Sequence, residues 1–510
     1  MPAFSFVVGY GIGKLLHFIW WALEFRDIDG KLKSLLIWAA LVALSVLTLV
    51  TFNRDGVWQN SIRSKMDMPL IDGTYPWLVA GVAILTALVL IALLRAVIWL
   101  AWRIGATLNR VLPRRTANTL GVLIAFFVVF TLFNDFVVQK ALRAADNIFA
   151  AIDRADDDDV SPPTHGFASG GANSIVEWDD IGTNGKAFLT GGPSQADITD
   201  LTGRPAREPV RIYAGYGSGE DFDARAQIAL RDLIALGGFD RSVLIVATPT
   251  GTGWLDPAAI EPVTYLHNGD LAIVSMQYAY VPSWLSIIVE PDRSRIAARA
   301  LFDTIFEYWT DLPKDNRPEL YLFGLSLGAL GSEASADLVT MLDDPIQGAL
   351  WSGPPFASTT WASLTARRNE GSSAWLPEFR DGGFVRFMNQ NGMASPPGAK
   401  WGNTRFVYLQ YASDPMVFFS SNLALSRPDW LVGYRVPDLS EYFNWYPLVT
   451  FLQVAFDVPM ATSTPSGHGH TYDALDYIDG WIEVTRPAFW SDADTMKLKA
   501  LYTGFEASPI

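Results

Sequence analysis

Residues 320–329 read LYLFGLSLGA. Four apolar residues precede Gly324 and predict a buried strand, and the apolar pattern over 329–342 predicts a helix. Between them lies Gly-x-Ser-x-Gly, with Ser326 at its centre. In this motif a sharp strand-to-helix turn lifts the serine hydroxyl above the sheet, and side chains at the two glycine positions would collide with the strand and the helix. The pattern predicts a nucleophilic serine at the carboxyl end of a central strand.

The chain around this motif alternates short apolar runs with helical patterns from about residue 208. Such alternation is typical of a mostly parallel sheet with helices on both faces. We therefore predict a doubly wound α/β domain whose functional groups collect at the carboxyl ends of its strands. The predicted strands are 210–214, 243–248, 271–276, 319–323, 348–351, 405–410 and 458–462, and the predicted helices include 223–236, 291–310 and 330–341.

An acidic residue follows one of these strands. Asp414 comes shortly after 405–410 and precedes Pro415. Because catalytic triads in this type of fold follow the chain order serine, acid, histidine, Asp414 is the predicted acid. A purely structural role for Asp414, capping the turn before the proline, is the alternative. Asp438 and Asp457 are weaker candidates for the acid.

Two of the five histidines, His468 and His470, come after Asp414. They lie between the last predicted strand and a predicted helix over 472–485, which is where the general base is expected. One would be the base, and the other would contact the substrate or support the base. His468 is preferred because glycines flank it on both sides. The competing interpretation is a His-x-His zinc site, but no third ligand lies nearby, and we predict neither a metal nor a cofactor.

In the resulting scheme the aspartate orients the imidazole, the imidazole deprotonates the serine, and the serine attacks an acyl carbonyl. The oxyanion formed there needs two backbone N–H groups. Leu327, directly after the nucleophile, is predicted to supply one. The second is expected from the glycine-rich loop after the second strand, at Thr252 and Gly253, with the loop over 216–219 as the alternative.

The first 145 residues are strongly apolar, unlike the rest of the chain. Three runs are long enough to cross about 30 Å of hydrocarbon. A fourth run, residues 4–23, either spans or lies in the membrane interface. We therefore predict an all-helical transmembrane domain over 1–145 with three or four spans, the three strongest being 32–52, 77–102 and 120–138.

The domain that carries the serine is predicted over 173–510, after a solvated linker over 146–172 that contains an acidic run at 156–159. Positive charge is densest in the loops 24–33 and 103–119, which favours a cytoplasmic location for both loops. With four spans, a multi-pass protein of the cell membrane results, and its catalytic domain lies on the extracytoplasmic side.

Composition excludes several classes of function. The formal charge of −15, without a basic stripe, argues against nucleic acid as a partner. The absence of cysteine excludes disulfides, a thiol nucleophile and cysteine-bound metals. The predicted partners are the lipid bilayer and an acyl-ester substrate, and the oligomeric state is not predicted.

Several motifs between residues 169 and 490 resemble a family of bacterial membrane α/β-hydrolases, common in actinobacteria, that joins a multi-span N-terminal domain to a catalytic domain. The resemblance implies a hydrolase with a Ser-Asp-His triad and does not define its substrate. The first membrane segment is short for the family. The motifs are SIVEW at 174–178, TPTGTGW at 248–254, MQY at 276–278, GLSLG at 324–328, WSGPP at 351–355, SDP at 413–415 and GHGH at 467–470.

The leading predicted function is cleavage of a lipid-like carboxylic ester next to the membrane. The aromatic-rich residues 415–456, with a second apolar stretch over 284–288, are expected to contribute a cap that forms an apolar acyl pocket. Transfer of the acyl group to a cell-envelope acceptor would use the same triad and is the alternative. A non-catalytic membrane scaffold is disfavoured, because a degenerate site usually loses one member of its triad.

Overall fold

The computed structural model describes residues 2–25, 30–73, 75–132, 139–153, 160–336, 341–433 and 436–506. The chain forms two compact units. One consists of Met1–Ala145 and Leu439–Phe456, and the other of Asp146–Asp438 and Asp457–Ile510. The predicted single domain over 173–510 is therefore interrupted, because residues 439–456 group with the N-terminal helices.

The first unit contains four helices that are long and apolar enough to cross a membrane. Each predicted run falls on one of them, although the last six residues of the run 120–138 lie outside the described residues. The second helix is longer than predicted and continues through a polar stretch to a last turn that contains Arg63 and Lys65. The helices are α1 (Pro2–Ala22), α2 (Gly30–Lys65), α3 (Tyr75–Leu108) and α4 (Arg114–Leu132).

Small residues form the contact between α3 and α4. Ala101 and Gly105 on α3, and Ala117, Gly121 and Ala125 on α4, are buried. A Cβ atom on Gly121 would lie 2.6 Å from the Ala101 carbonyl oxygen and 2.9 Å from the Gly105 Cα. Small residues of this kind let the two helix backbones approach closely, a packing that is also common between helices in lipid.

The second unit is built on an eight-stranded sheet with the order β1-β3-β2-β4-β5-β8-β6-β7. All neighbouring strands are parallel except β6 and β7. The central strands are buried along their length, as expected where helices cover both faces. The strands are β1 (Val210–Ala214), β2 (Val243–Thr248), β3 (Leu271–Met276), β4 (Glu319–Leu325), β5 (Gly348–Ser352), β6 (Val385–Asn389), β7 (Gly392–Ala394) and β8 (Arg405–Leu409).

The predicted α/β class is confirmed, with two differences in the strands. The predicted strand 458–462 is a single 3₁₀ turn, Val458–Met460, since Pro459 cannot donate to a strand ladder. Strands β6 and β7 were not predicted. In β6 the charged Arg386 interrupts a short apolar run, and the structure buries its guanidinium 4.0 Å from the Trp401 ring.

Helices cover the sheet, and α8 and α11 match the predicted helices 223–236 and 291–310 to within one residue at each end. The predicted helix 330–341 corresponds to α12, and residues 337–340 lie outside the described part of the chain. The helices are α5 (Gln139–Asp153), α6 (Thr183–Thr190), α7 (Gln195–Thr202), α8 (Phe222–Ala235), α9 (Pro257–Leu266), α10 (Ser283–Val289), α11 (Pro291–Asp311), α12 (Leu327–Ser335), α13 (Thr359–Ala366), α14 (Pro415–Phe418), α15 (Val449–Asp457), α16 (Ala474–Thr485) and α17 (Asp492–Tyr502).

The predicted linker over 146–172 contributes to the folded unit wherever it is described. Helix α5 ends at Asp153, whose carboxylate accepts a hydrogen bond of 3.0 Å from the Gln277 side chain. Ala168 is fully buried. The acidic run at 156–159 lies outside the described residues. Ala150 and Ser169 are also buried, whereas most other described linker residues are exposed or half-buried, and for these the solvated tether stays a prediction.

Asp232 on α8 fixes the segment that follows this linker. Its buried carboxylate accepts hydrogen bonds from the Ser169 hydroxyl at 2.6 Å, the Ser174 hydroxyl at 2.9 Å and the Ile175 N–H at 2.8 Å.

Asp232→Ala would leave these donors without an acceptor, and we expect a loss of about 2–4 kcal/mol in the free energy of unfolding. Thermal unfolding of the purified chain in detergent measures this loss of stability. Arg231→Ala, at the exposed neighbour, is the control, and equal midpoints for the two variants would contradict the prediction.

Candidate active site

Ser326 occupies the turn between β4 and α12 in a strained backbone conformation. Its φ is +58° and its ψ is −123°, and its N–H donates to the Ser352 carbonyl oxygen at 3.0 Å. A Cβ atom on Gly324 would lie 2.3 Å from the Gly328 carbonyl oxygen, and one on Gly328 would lie 2.2 Å from the Thr248 carbonyl oxygen. Both glycines are therefore required by close backbone approach, as the motif predicts.

Asp414 follows β8 and contacts a histidine. One carboxylate oxygen, Oδ2, lies 2.6 Å from Nδ1 of His470. The other, Oδ1, accepts a hydrogen bond of 2.8 Å from the Met416 N–H. A carboxylate only accepts, so Nδ1 carries the proton in this pair and Nε2 is left with its lone pair. This tautomer suits a base that takes a proton at Nε2.

Tyr472 is a further partner of Asp414 that the sequence analysis missed. Its hydroxyl donates to Oδ2 of Asp414 at 2.7 Å. Burial, and then the neighbouring carboxylate, raise the pKa of this hydroxyl well above its ordinary value, so it stays a donor. The sequence predicts Tyr472 at the start of a helix, and no sequence signal relates it to the acid.

The preference for His468 as the partner of the acid is corrected by the structure, which places His470 against Asp414. Gly469, between the two histidines, has a φ of +56°, and a Cβ atom there would lie 2.6 Å from the Thr464 hydroxyl. This glycine allows a tight loop and does not mark the residue before it as the base. Nδ1 of His468 is buried without a hydrogen-bond partner among the described residues.

The two weaker candidates for the acid have other surroundings. Asp438 accepts a hydrogen bond of 2.7 Å from the Gln390 side chain. Burial raises the pKa of Asp457 to about 6. Within the described chain, no group of three or more histidine or carboxylate side chains is arranged to hold a metal ion.

Ser326 and His470 line the same cavity, whose volume is about 350 Å³. The Ser326 hydroxyl oxygen and Nε2 of His470 are both buried and form no hydrogen bond with any residue that the structure describes. These are the two atoms between which a proton would pass. Hydrogen bonds of this kind are often long before a substrate binds and shorten in the complex.

The predicted oxyanion donors are only partly supported. Leu327 is the first residue of α12, so its N–H has no acceptor within the helix. Thr252 lines the cavity, and no described residue accepts a hydrogen bond from its N–H. Gly253 is excluded, because its N–H donates to the Thr250 carbonyl oxygen at 3.0 Å and closes the turn. The alternative loop 216–219 contributes no residue to the described cavity lining.

Asp256 is a second buried acid in this cavity and was also missed. It begins α9, where its carboxylate accepts a hydrogen bond of 3.0 Å from the Ala258 N–H. Burial raises its pKa to about 7. Asp-Pro at residues 256–257 is a recognisable helix start, but its position beside the serine depends on the fold of the whole sheet.

The predicted cap is only partly present. Met416 lines the cavity, but residues 439–456 group with the N-terminal helices. The side chains of residues 284 and 288 lie outside the described part of the structure. In place of a continuous aromatic cap, the loop that carries His470 forms one wall, beginning at Val458.

Comparison with known families agrees with this architecture. Residues 210–498, more than half of the chain, match the model described as "Alpha/beta-hydrolase family". Residues 1–193 match the model of the N-terminus of that family. No curated protein matches the chain. The resemblance to an α/β-hydrolase family is confirmed, and membership suggests a hydrolase. The sequence, the parallel sheet and the strained turn at Ser326 all agree: the chain belongs to the alpha/beta-hydrolase family.

Proposed function

We propose that the protein is a membrane-anchored serine hydrolase that cleaves carboxylic esters with lipid-like acyl chains. The observation that carries the proposal is the 2.6 Å contact between Asp414 and Nδ1 of His470 in the cavity lined by the strained Ser326. An oriented histidine and an unpaired serine hydroxyl that line one cavity are the groups needed to activate a serine as a nucleophile.

The proposed reaction forms and breaks an acyl-enzyme. Nε2 of His470 takes the proton of Ser326 as its hydroxyl oxygen bonds to the ester carbonyl carbon. The N–H groups of Leu327 and Thr252 stabilise the negative charge on the carbonyl oxygen. The alcohol then leaves with the proton from His470, and water attacks the acyl-enzyme by the same steps to release the acid. Asp414 remains a carboxylate and holds the imidazolium in place.

Membrane anchoring rests on α1–α4. Large apolar side chains on these helices are exposed, which water would not tolerate over such an area. Lipid would cover them. The extracytoplasmic location of the catalytic domain stays a prediction that rests on the positive charges of two loops.

Labelling with a fluorophosphonate probe tests the proposed chemistry. We expect one stable adduct, located on Ser326 by mass spectrometry of proteolytic fragments, and hydrolysis of short acyl esters by the same preparation. Denatured protein serves as the control and should not react. An adduct on a different serine would overturn the assignment. Repeating the hydrolysis with excess glycerol measures transfer of the acyl group to an alcohol. In that case the acyl-enzyme reacts with glycerol in place of water and yields a new ester.

A further inference from the structure

The chemistry of the catalytic cavity restricts what can bind beside Ser326. Threonine and serine hydroxyls line it from two directions, from the loop after β2 at Thr250 and Thr252 and from the loop that leads to His470. Two carboxyl groups, Asp256 and Glu506, also line it. No lysine or arginine is present among the described lining residues.

Asp256 is the most constrained of these groups. It is 3% exposed, and no described lysine or arginine forms an ion pair with it. Burial raises its pKa, and nearby His470 opposes part of that rise. It accepts the Ala258 N–H and forms a hydrogen bond with the Tyr477 hydroxyl, which in turn lies 2.8 Å from the Ser352 hydroxyl. These contacts hold the carboxyl group in place at the wall of the cavity that Ser326 also lines.

We propose that the alcohol part of the substrate is an uncharged polyol, such as glycerol or a sugar, and that Asp256 selects it against phosphate-bearing head groups. This inference rests on the proposed ester hydrolysis. A polyol hydroxyl donates to a carboxylate and accepts from a carboxylic acid, so it pairs with Asp256 in either protonation state. Because burial raises its pKa to about 7, both states occur near neutral pH.

A phosphate group has the opposite properties. It accepts hydrogen bonds but donates few, and its charge is repelled by an ionised carboxylate inside a partly enclosed cavity. Sites that bind phosphate use arginine, lysine or helix N-termini for this purpose. The described lining of this cavity offers no lysine or arginine to offset the charge of Asp256.

A matched pair of esters tests the selection. The full-length protein in an uncharged detergent is given 1-octanoylglycerol or 1-octanoylglycerol 3-phosphate, and released octanoate is measured. We expect kcat/KM to be at least about tenfold higher for the uncharged ester. In Asp256→Asn this ratio should fall to about threefold or less, mainly through KM for the phosphate ester. Asparagine keeps the helix cap, and complete fluorophosphonate labelling at long reaction times shows that the serine site is intact.

Glu506→Gln is the control for a general loss of negative charge. Because Glu506 is exposed to solvent, we expect the ratio to change by less than about twofold. Equal kcat/KM for the two esters in the wild type would overturn the proposal, as would an unchanged ratio in Asp256→Asn. Failure to release octanoate from either ester, while Ser326 still labels, would also refute the polyol substrate and leave the serine hydrolase standing.

Discussion

Ser326→Ala is expected to abolish fluorophosphonate labelling and to lower kcat/KM for acyl esters by a factor of about 10⁴ to 10⁶. The variant lacks the only atom that we propose forms the acyl bond. The Ser326 hydroxyl makes no hydrogen bond with described residues, so its removal leaves no buried partner unpaired. The fold should therefore be unchanged, and the residual rate would come from the oxyanion donors alone.

Ser335→Ala provides the matched control for this experiment. Ser335 lies on α12, the helix that follows the nucleophile, and its hydroxyl bonds to the Ser332 carbonyl oxygen at 2.8 Å. It does not line the cavity within the described chain. We expect full labelling of this variant. Undiminished labelling of Ser326→Ala would remove Ser326 as the nucleophile, whatever its backbone conformation.

The parts of the site that the sequence predicts are those set by short-range structure. The Ser326 turn depends on two glycines within two residues, and each is required by backbone contacts shorter than 2.5 Å that any Cβ would make. Asp414 could be found because it follows a strand directly, and the carboxyl ends of parallel strands meet at one edge of a sheet. The expected chain order of serine, acid and histidine then restricted the candidate base to the two histidines after Asp414.

The parts that the sequence does not predict depend on long-range packing. Asp256 and Asp414 are 158 positions apart in the sequence. The sheet order places β2 and β8 so that Asp256 lines the cavity and Asp414 contacts His470, which lines it too. The grouping of residues 439–456 with the first unit also depends on contacts between residues that are far apart in the sequence. Phe456 packs on Phe4 with ring centroids 5.5 Å apart, and the Ser61 and Ser440 hydroxyls lie 2.5 Å apart. No local pattern marks such partners.

The choice between the two histidines is a further case in which local sequence misleads. His468 and His470 have nearly the same neighbours in sequence, and flanking glycines favoured the first. The loop conformation decides otherwise, because the N–H of His470 donates to the Ala461 carbonyl oxygen and the Gly469 N–H donates to the Ser413 hydroxyl, both at 3.0 Å. These bonds direct the second imidazole toward Asp414.

His470→Ala and His468→Ala should therefore differ greatly in activity. Loss of His470 removes the proposed base and leaves Asp414 without its imidazole partner, so we expect kcat/KM to fall by about 10³ to 10⁶. Loss of His468 should change kcat/KM by less than about tenfold, because its Nδ1 has no hydrogen-bond partner among the described residues. The two variants remove the same side chain two positions apart in one loop, so each is the control for the other.

The measurement is ester hydrolysis together with the rate of fluorophosphonate labelling, since the base activates the serine for both reactions. A fall in both rates for His470→Ala, with thermal unfolding equal to that of His468→Ala, would separate loss of the base from loss of the fold. If His468→Ala were the inactive variant and His470→Ala remained active, the contact between His470 and Asp414 would be structural. The base would then be His468, reached by a movement of the loop over 467–470.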